Sequence, residues 1–119
     1  MKDYLSIVKH EDSLTVCFYI ENDKILEIGE RMNEVNEEAY MNGENWSAFL
    51  DQYLAADHSE ILDNMDPDPE AGMYAAYFEL TPENEKRAKK MVDLIEDLIE
   101  NESKIFEFLE SHGDEIEWD

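Results

Sequence analysis

The seven residues Leu14 to Ile20, LTVCFYI, carry no charge in a chain otherwise dense with carboxylates. Rich in β-branched and aromatic side chains and of strand length, they read as a β-strand. A strand with one solvated face alternates apolar and polar positions, and this run does not. It belongs at the centre of a sheet or under cover on both faces. Such a sheet needs strand neighbours and a layer of helices to bury it.

The neighbours are visible on either side. Tyr4 to Val8 reads as a first strand, and His10-Glu11-Asp12-Ser13 makes the turn of a hairpin. A third strand runs from Met73 to Leu80 (MYAAYFEL). The helices follow from spacing. Asn22-Asp23 caps a segment whose Ile25, Ile28, Met32, Val35 and Ala39 share one helical face. Gly29 inside it costs about 1 kcal/mol relative to alanine, and leaves open a short strand over Lys24 to Ile28 with the helix beginning later. Asn42-Gly43 breaks the chain. Asn45 is placed to cap a second helix, with Trp46, Phe49, Leu50, Tyr53 and Leu54 on its buried side.

After that helix fades at Ala56-Asp57-His58, Ser59 can cap a short turn through Ile61 and Leu62. Asp66-Pro67-Asp68-Pro69 is excluded from a helix, since each residue before a proline is pushed to extended geometry; it reads as a stiff loop. Thr81-Pro82 supplies the cap and first-turn proline of a long helix, with Ala88, Met91, Val92, Ile95, Leu98 and Ile99 as its stripe. Asn101 interrupts it, Ile105 to Leu109 resume the pattern, Gly113 ends it, and the tail DEIEWD is expected to be loosely held. The expected fold is α+β in the order β-β-α-α-β-α-α: a small, mostly antiparallel sheet, hairpin plus a third strand, packed against several helices as a single domain over residues 1–119.

Thirty-two Asp and Glu against nine Lys and Arg give a formal charge of −23. Disorder does not explain it, because 43% of the residues are hydrophobic and 11% aromatic. Folding does not require such a charge, and self-repulsion opposes it; what it provides is solubility and a negative field that speeds encounter with cationic surfaces. Nucleic acid and anionic membranes, both polyanionic, are excluded as partners, and a basic protein is the natural complement. No apolar run reaches the roughly 18 residues of a membrane span. With no secretory leader at the N-terminus and one cysteine, Cys17, a cytoplasmic location is expected. The acids concentrate toward the C-terminus, while the one basic cluster, Lys86, Arg87, Lys89 and Lys90, can pair along its own helix with Glu83, Glu85, Asp93 and Glu96.

Catalytic and metal signatures are weak. His10, His58 and His112 share no ligand spacing, and neither a nucleophile elbow nor a phosphate-binding glycine loop occurs. Asp66, Asp68 and Glu70 alternate as at the start of a calcium loop, but Ala71 stands where glycine is needed and Tyr77 where a bidentate glutamate is needed. No cofactor and no enzymatic activity are expected. A rigid acidic loop is instead suited to a basic partner, because docking it loses little entropy. The candidate contact residues are Glu44, Trp46, Asp66, Asp68, Glu70, Glu96 and Glu100, with Trp46 placed either to seal the core or to present a surface.

Two segments, GERMNEVNEEAYMNGENWSAFLDQYL and DPDPEAGMYAAYFEL, add a family resemblance. Gly29, Glu30, Tyr40, Asn42, Gly43, Trp46, Leu50, Asp68, Glu70, Ala71, Gly72 and Tyr77 carry it. Together they resemble immunity protein family 51 of bacterial polymorphic toxin systems, over about Phe18 to Leu109. The resemblance implies a cytoplasmic antitoxin that binds and neutralises a cognate toxin without catalysis of its own. A basic nuclease whose phosphate-binding cleft is filled by carboxylates fits both the resemblance and the charge. The rival readings are an acidic adaptor or nucleic-acid mimic regulating a host enzyme, and a small calcium-binding protein.

Overall fold

A computed structural model describes residues 2–70 and 72–118. Strand β1 (Leu5–Lys9) and strand β2 (Ser13–Phe18) form the expected hairpin, Leu5 opposite Phe18 and Lys9 opposite Leu14. Helix α1 (Asp23–Val35) follows, capped by the Asn22 side chain, which accepts from the Lys24 N–H. Helix α2 (Gly43–Asp57) and the single turn α3 (Ser59–Leu62) lead to strand β3 (Asp66–Glu70), and β4 (Met73–Glu79) follows. Helix α4 (Pro82–Glu100) begins on the expected Thr81 cap, whose hydroxyl accepts from the Asn84 N–H; α5 (Ser103–His112) and a 3-10 turn (Gly113–Glu115) complete the chain.

Among the described residues the strands make one antiparallel sheet in the order β1-β2-β4-β3. The fold is α+β, with a fourth strand beyond the hairpin and third strand anticipated. That strand is the Asp-Pro-Asp-Pro segment. It was expected as a loop, yet it is an edge strand, because a strand bonded on one side only can turn its prolines' missing N–H groups outward. The apolar run is central, as expected, lying between β1 and β4.

Alternation splits the sheet into two faces. Leu14, Val16, Phe18, Tyr74, Ala76 and Phe78 point inward and are at most 2% exposed. They share one core with the α4 stripe and with Trp46, Phe49 and Leu50 of α2. Helix α4 packs against β1, β2 and β4, while α2 packs against β3 and β4. Burying each large side chain contributes about 1.5–3 kcal/mol. Cys17 and Ala75, on the opposite face, are shielded but stand outside that core.

Local departures from expectation have local causes. The α2 cap is Asn42, whose side chain accepts from the Asn45 N–H, while buried Asn45 donates to the Tyr40 carbonyl at 2.6 Å. Val35 is exposed, and the helix stops there. The tail is not loose. Ile116 is 6% exposed in the core, and Trp118 packs against it.

Glu100 ties three elements together. It accepts from the Tyr4 hydroxyl and from Lys24 Nζ, each at 2.8 Å, with Lys2 Nζ 3.8 Å away. The Lys24 and Tyr4 hydrogen bonds hold its carboxyl below the usual range. A folded-state value lowered in this way adds stability above the unfolded carboxylate pKa, about 4.3, and that stability is lost as pH falls through the lower folded value. Glu100→Gln should therefore shrink the melting-temperature gap to wild type as pH drops below about 4. Parallel melting curves that stay equally separated from pH 7 to pH 2 would refute the tie.

Candidate partner-binding surface

Strand β3 sets its acids in line. Asp66, Asp68 and Glu70 face outward opposite Tyr77, Ala75 and Met73, while Pro67 and Pro69 face the helices opposite Ala76 and Tyr74. Strand rise spaces successive carboxylates by roughly 6–7 Å along one edge. They form a row rather than a wrapped loop. Among the described residues no group of three or more His, Cys, Asp or Glu is arranged to hold a metal ion.

At the start of β3 the row widens into an acidic groove lined by Asp12, Asp63, Asp66 and Glu79 beside the Tyr77 ring. The hairpin turn brings Asp12 there, since its carbonyl accepts from the Leu80 N–H and Ser13 pairs with Glu79. Three of these four acids were outside the sequence-based set. Strand register brings in Asp12 and Glu79, while Asp63 stands three residues before Asp66 in the same acidic stretch; the hints were that stretch and Asp12 in a turn of the hairpin.

The other expected contact residues fall in three places. Glu44, in the first turn of α2, lines a groove on the helical side of β3 with Pro67, Asp51 and Trp118. Burial pushes the Asp51 carboxyl above its usual value. Trp46 is 1% exposed, edge-on to Phe18 at 5.1 Å and Phe49 at 5.9 Å. It seals the core, so the contact role is corrected. Glu96 and Glu100 belong to α4 near the first residues of the chain, where burial foremost, then Glu100 and Glu96, raise the pKa of the Tyr4 hydroxyl. They therefore sit at the β1 edge, three strand spacings, about 14 Å, from β3. The set is divided, and the β3 row is its coherent part.

The bases are used elsewhere. Lys9 pairs with Glu85 at 3.4 Å, Lys89 with Asp93 at 3.1 Å, and Arg31 forks onto both oxygens of Glu102 at 2.5 and 2.7 Å. Across the outer face two cross-strand rows run Val8–Thr15–Tyr77–Asp66 and Ser6–Cys17–Ala75–Asp68, without a Lys or Arg among them. Along these two rows the negative charge of Asp66 and Asp68 meets no base.

The two sequence segments that carried the resemblance meet here. Gly43 lies directly against the backbone of Glu70 and Met73, Asn42 caps the helix that Gly43 opens, and Tyr77 stands opposite Asp66. Ala71 lies outside the described residues. The family model for Immunity protein 51 matches residues 5–114. The chain belongs to the Immunity protein 51 family. No curated protein and no solved structure matches it. Membership in Immunity protein 51 implies an antitoxin role, exercised on a cognate toxin protein. The matched span begins at β1 and ends in the 3-10 turn, so it includes all four strands and the β3 row. Among the described residues no helix is long and apolar enough to cross a membrane.

Proposed function

We propose that this Immunity protein 51 member is a cytoplasmic, non-catalytic antitoxin acting as a single domain, and that it neutralises a basic nuclease by covering its cationic cleft. The family match carries the antitoxin role, and the net charge of −23 supports a basic target. The contact centres on Asp66, Asp68 and Glu70, whose spaced carboxylates stand in for substrate phosphates. Glu44 flanks them beyond the edge strand. Glu96 adds to the field, while the Glu100 carboxylate is already held by Tyr4 and Lys24.

Speed is the functional value of the charge, because a toxin must be captured before it acts. Steering lifts association toward about 10⁸–10⁹ M⁻¹s⁻¹ at low salt. The test is stopped-flow association with the toxin protein encoded by the adjoining gene, measured from low to physiological ionic strength. The rate is expected to fall steeply as screening shortens to about 8 Å near 0.15 M. A rate flat across salt would exclude electrostatic capture.

A further inference from the structure

Strand β2 buries one face against the protein's own helices and turns Ser13, Thr15 and Cys17 to the other. Leu14, Val16 and Phe18 enter the core; Thr15 and Cys17 point the other way and stand outside the core cluster of the described residues. Tyr19 continues that face just past the strand end, its hydroxyl 2.7 Å from Ser6 Oγ. A sheet face turned to water is ordinarily polar. This one sets Val8, Cys17, Ala75 and Tyr77 between Ser6, Thr15 and the β3 acids.

Its relief is aromatic. Val8, Tyr19 and Tyr77 are 39–40% exposed, and they stand over the small, shielded side chains of Thr15, Cys17 and Ala75. Val8 and Tyr77 flank the buried Thr15 in one cross-strand row, which sets the two exposed side chains two strand spacings, about 10 Å, apart. The buried Thr15 hydroxyl has no hydrogen-bond partner among the described residues, an unmet polar group at the centre of the patch. The row of Asp66, Asp68 and Glu70 bounds the patch on one side.

We infer that this open sheet face is the docking surface for the toxin, with Tyr19 and Tyr77 as its anchors and the β3 carboxylates as its charged rim. The inference rests on the antitoxin reading and goes further by naming the face and the chemistry of the occupant. That occupant presents an apolar centre flanked by lysine or arginine on the side that meets β3. Aromatic anchors ringed by polar residues are the anatomy of strong protein interfaces, and tyrosine is enriched among the residues that dominate their energy. Four strands of five to seven residues project a face of roughly 400 Å², about half of the 800 Å² buried per partner in a standard interface. The acidic rim and groove supply the rest. A second copy is disfavoured as occupant, because it would bring together two molecules that each carry a formal charge of −23. Nucleic acid is disfavoured by the same charge.

The experiment measures affinity for the toxin encoded by the adjoining gene. Tyr19→Ala and Tyr77→Ala are each expected to weaken binding by about 30-fold or more, mainly through faster dissociation. Leu26→Ala and Val35→Ala, which truncate similarly exposed apolar side chains on α1, are expected to stay within about threefold of wild type. Hydroxyl-radical footprinting of the wild-type complex is independent of variant folding, and should protect Tyr19 and Tyr77 on binding. Unchanged affinity in both tyrosine variants, or both rings remaining fully reactive in the complex, overturns the docking face while leaving the antitoxin reading intact. So does a dimer of this chain that Tyr77→Ala dissociates without altering toxin affinity. Absence of any binding by wild type overturns the antitoxin reading and this inference with it.

Discussion

Gly43→Ala is expected to destabilise the protein by about 3 kcal/mol or more, enough to lower the melting temperature by roughly 12 °C in a domain of this size. A Cβ at that position would lie 1.6 Å from the Glu70 carbonyl oxygen and 2.7 Å from both the Glu70 carbonyl carbon and the Met73 oxygen. Backbone cannot swing aside as a side-chain tip can. Either the first turn of α2 lifts off the β3–β4 connection, or the connection moves and breaks pairing at Glu70 and Met73. The requirement is close approach alone, since no residue has positive φ among those described. Helix propensity points the other way, alanine being favoured over glycine by about 1 kcal/mol inside a helix, so a net loss isolates the clash. Gly72→Ala is the control. Its added carbon would meet the Glu21 side chain, 2.0 Å from Oε1, and that flexible carboxylate can rotate into solvent. Chemical denaturation of the two variants should separate them clearly; a Gly43→Ala protein within 1 kcal/mol of wild type would mean that the seating of α2 on the acidic strand is not what holds it.

That seating also marks the boundary of what a linear reading can supply. Thr81-Pro82, Asn22 and the α4 stripe were legible because caps and helical periodicity are properties of neighbouring residues. Strand β3 was not. Its two prolines signal a loop wherever sheet position is unknown, and only its place at the edge makes them compatible with pairing. Asn45 resembles a cap as well as Asn42 does, and the choice was made by burial: Asn45 is drawn inward to the Tyr40 carbonyl. Ile116 and Trp118 sit in an acidic tail whose composition conceals that α5 returns it to the core. For the surface, the acidic stretch from Asp63 through Asp66, Asp68 and Glu70 was evident, but the groove that adds Asp12 and Glu79 to it exists only through register. The apolar run presented the subtlest case. Centrality satisfied its hydrogen bonds, yet burial of one face left the other unexplained within a single chain.

The triple reversal Asp66→Lys, Asp68→Lys, Glu70→Lys is expected to slow toxin association by about 10²–10³-fold at low salt and to flatten its salt dependence. All three acids are exposed on an edge strand, and their backbone pairing with β4 does not depend on side-chain chemistry, so the fold should persist. Lysine on an exposed edge is in fact a common natural device against aberrant pairing. The three changes move a net charge of −23 by only six units, leaving the molecule strongly anionic. What they invert is the local potential at the rim of the aromatic face. Reversing Glu107, Glu110 and Asp114 instead alters the overall charge identically while acting on exposed positions of α5 and the turn after it. If capture is directed by the β3 row, this second variant keeps most of the wild-type rate and its steep salt slope. Equal slowing by both would mean that the toxin responds to total charge, with no preferred line of approach. Retention of the wild-type rate by the β3 variant alone would remove the acidic strand from the capture mechanism. The contrast between the two variants is sharpest near 0.1 M salt, where screening limits exposed charges to about one Debye length, near 10 Å, so that acids on another element substitute poorly for those at the rim.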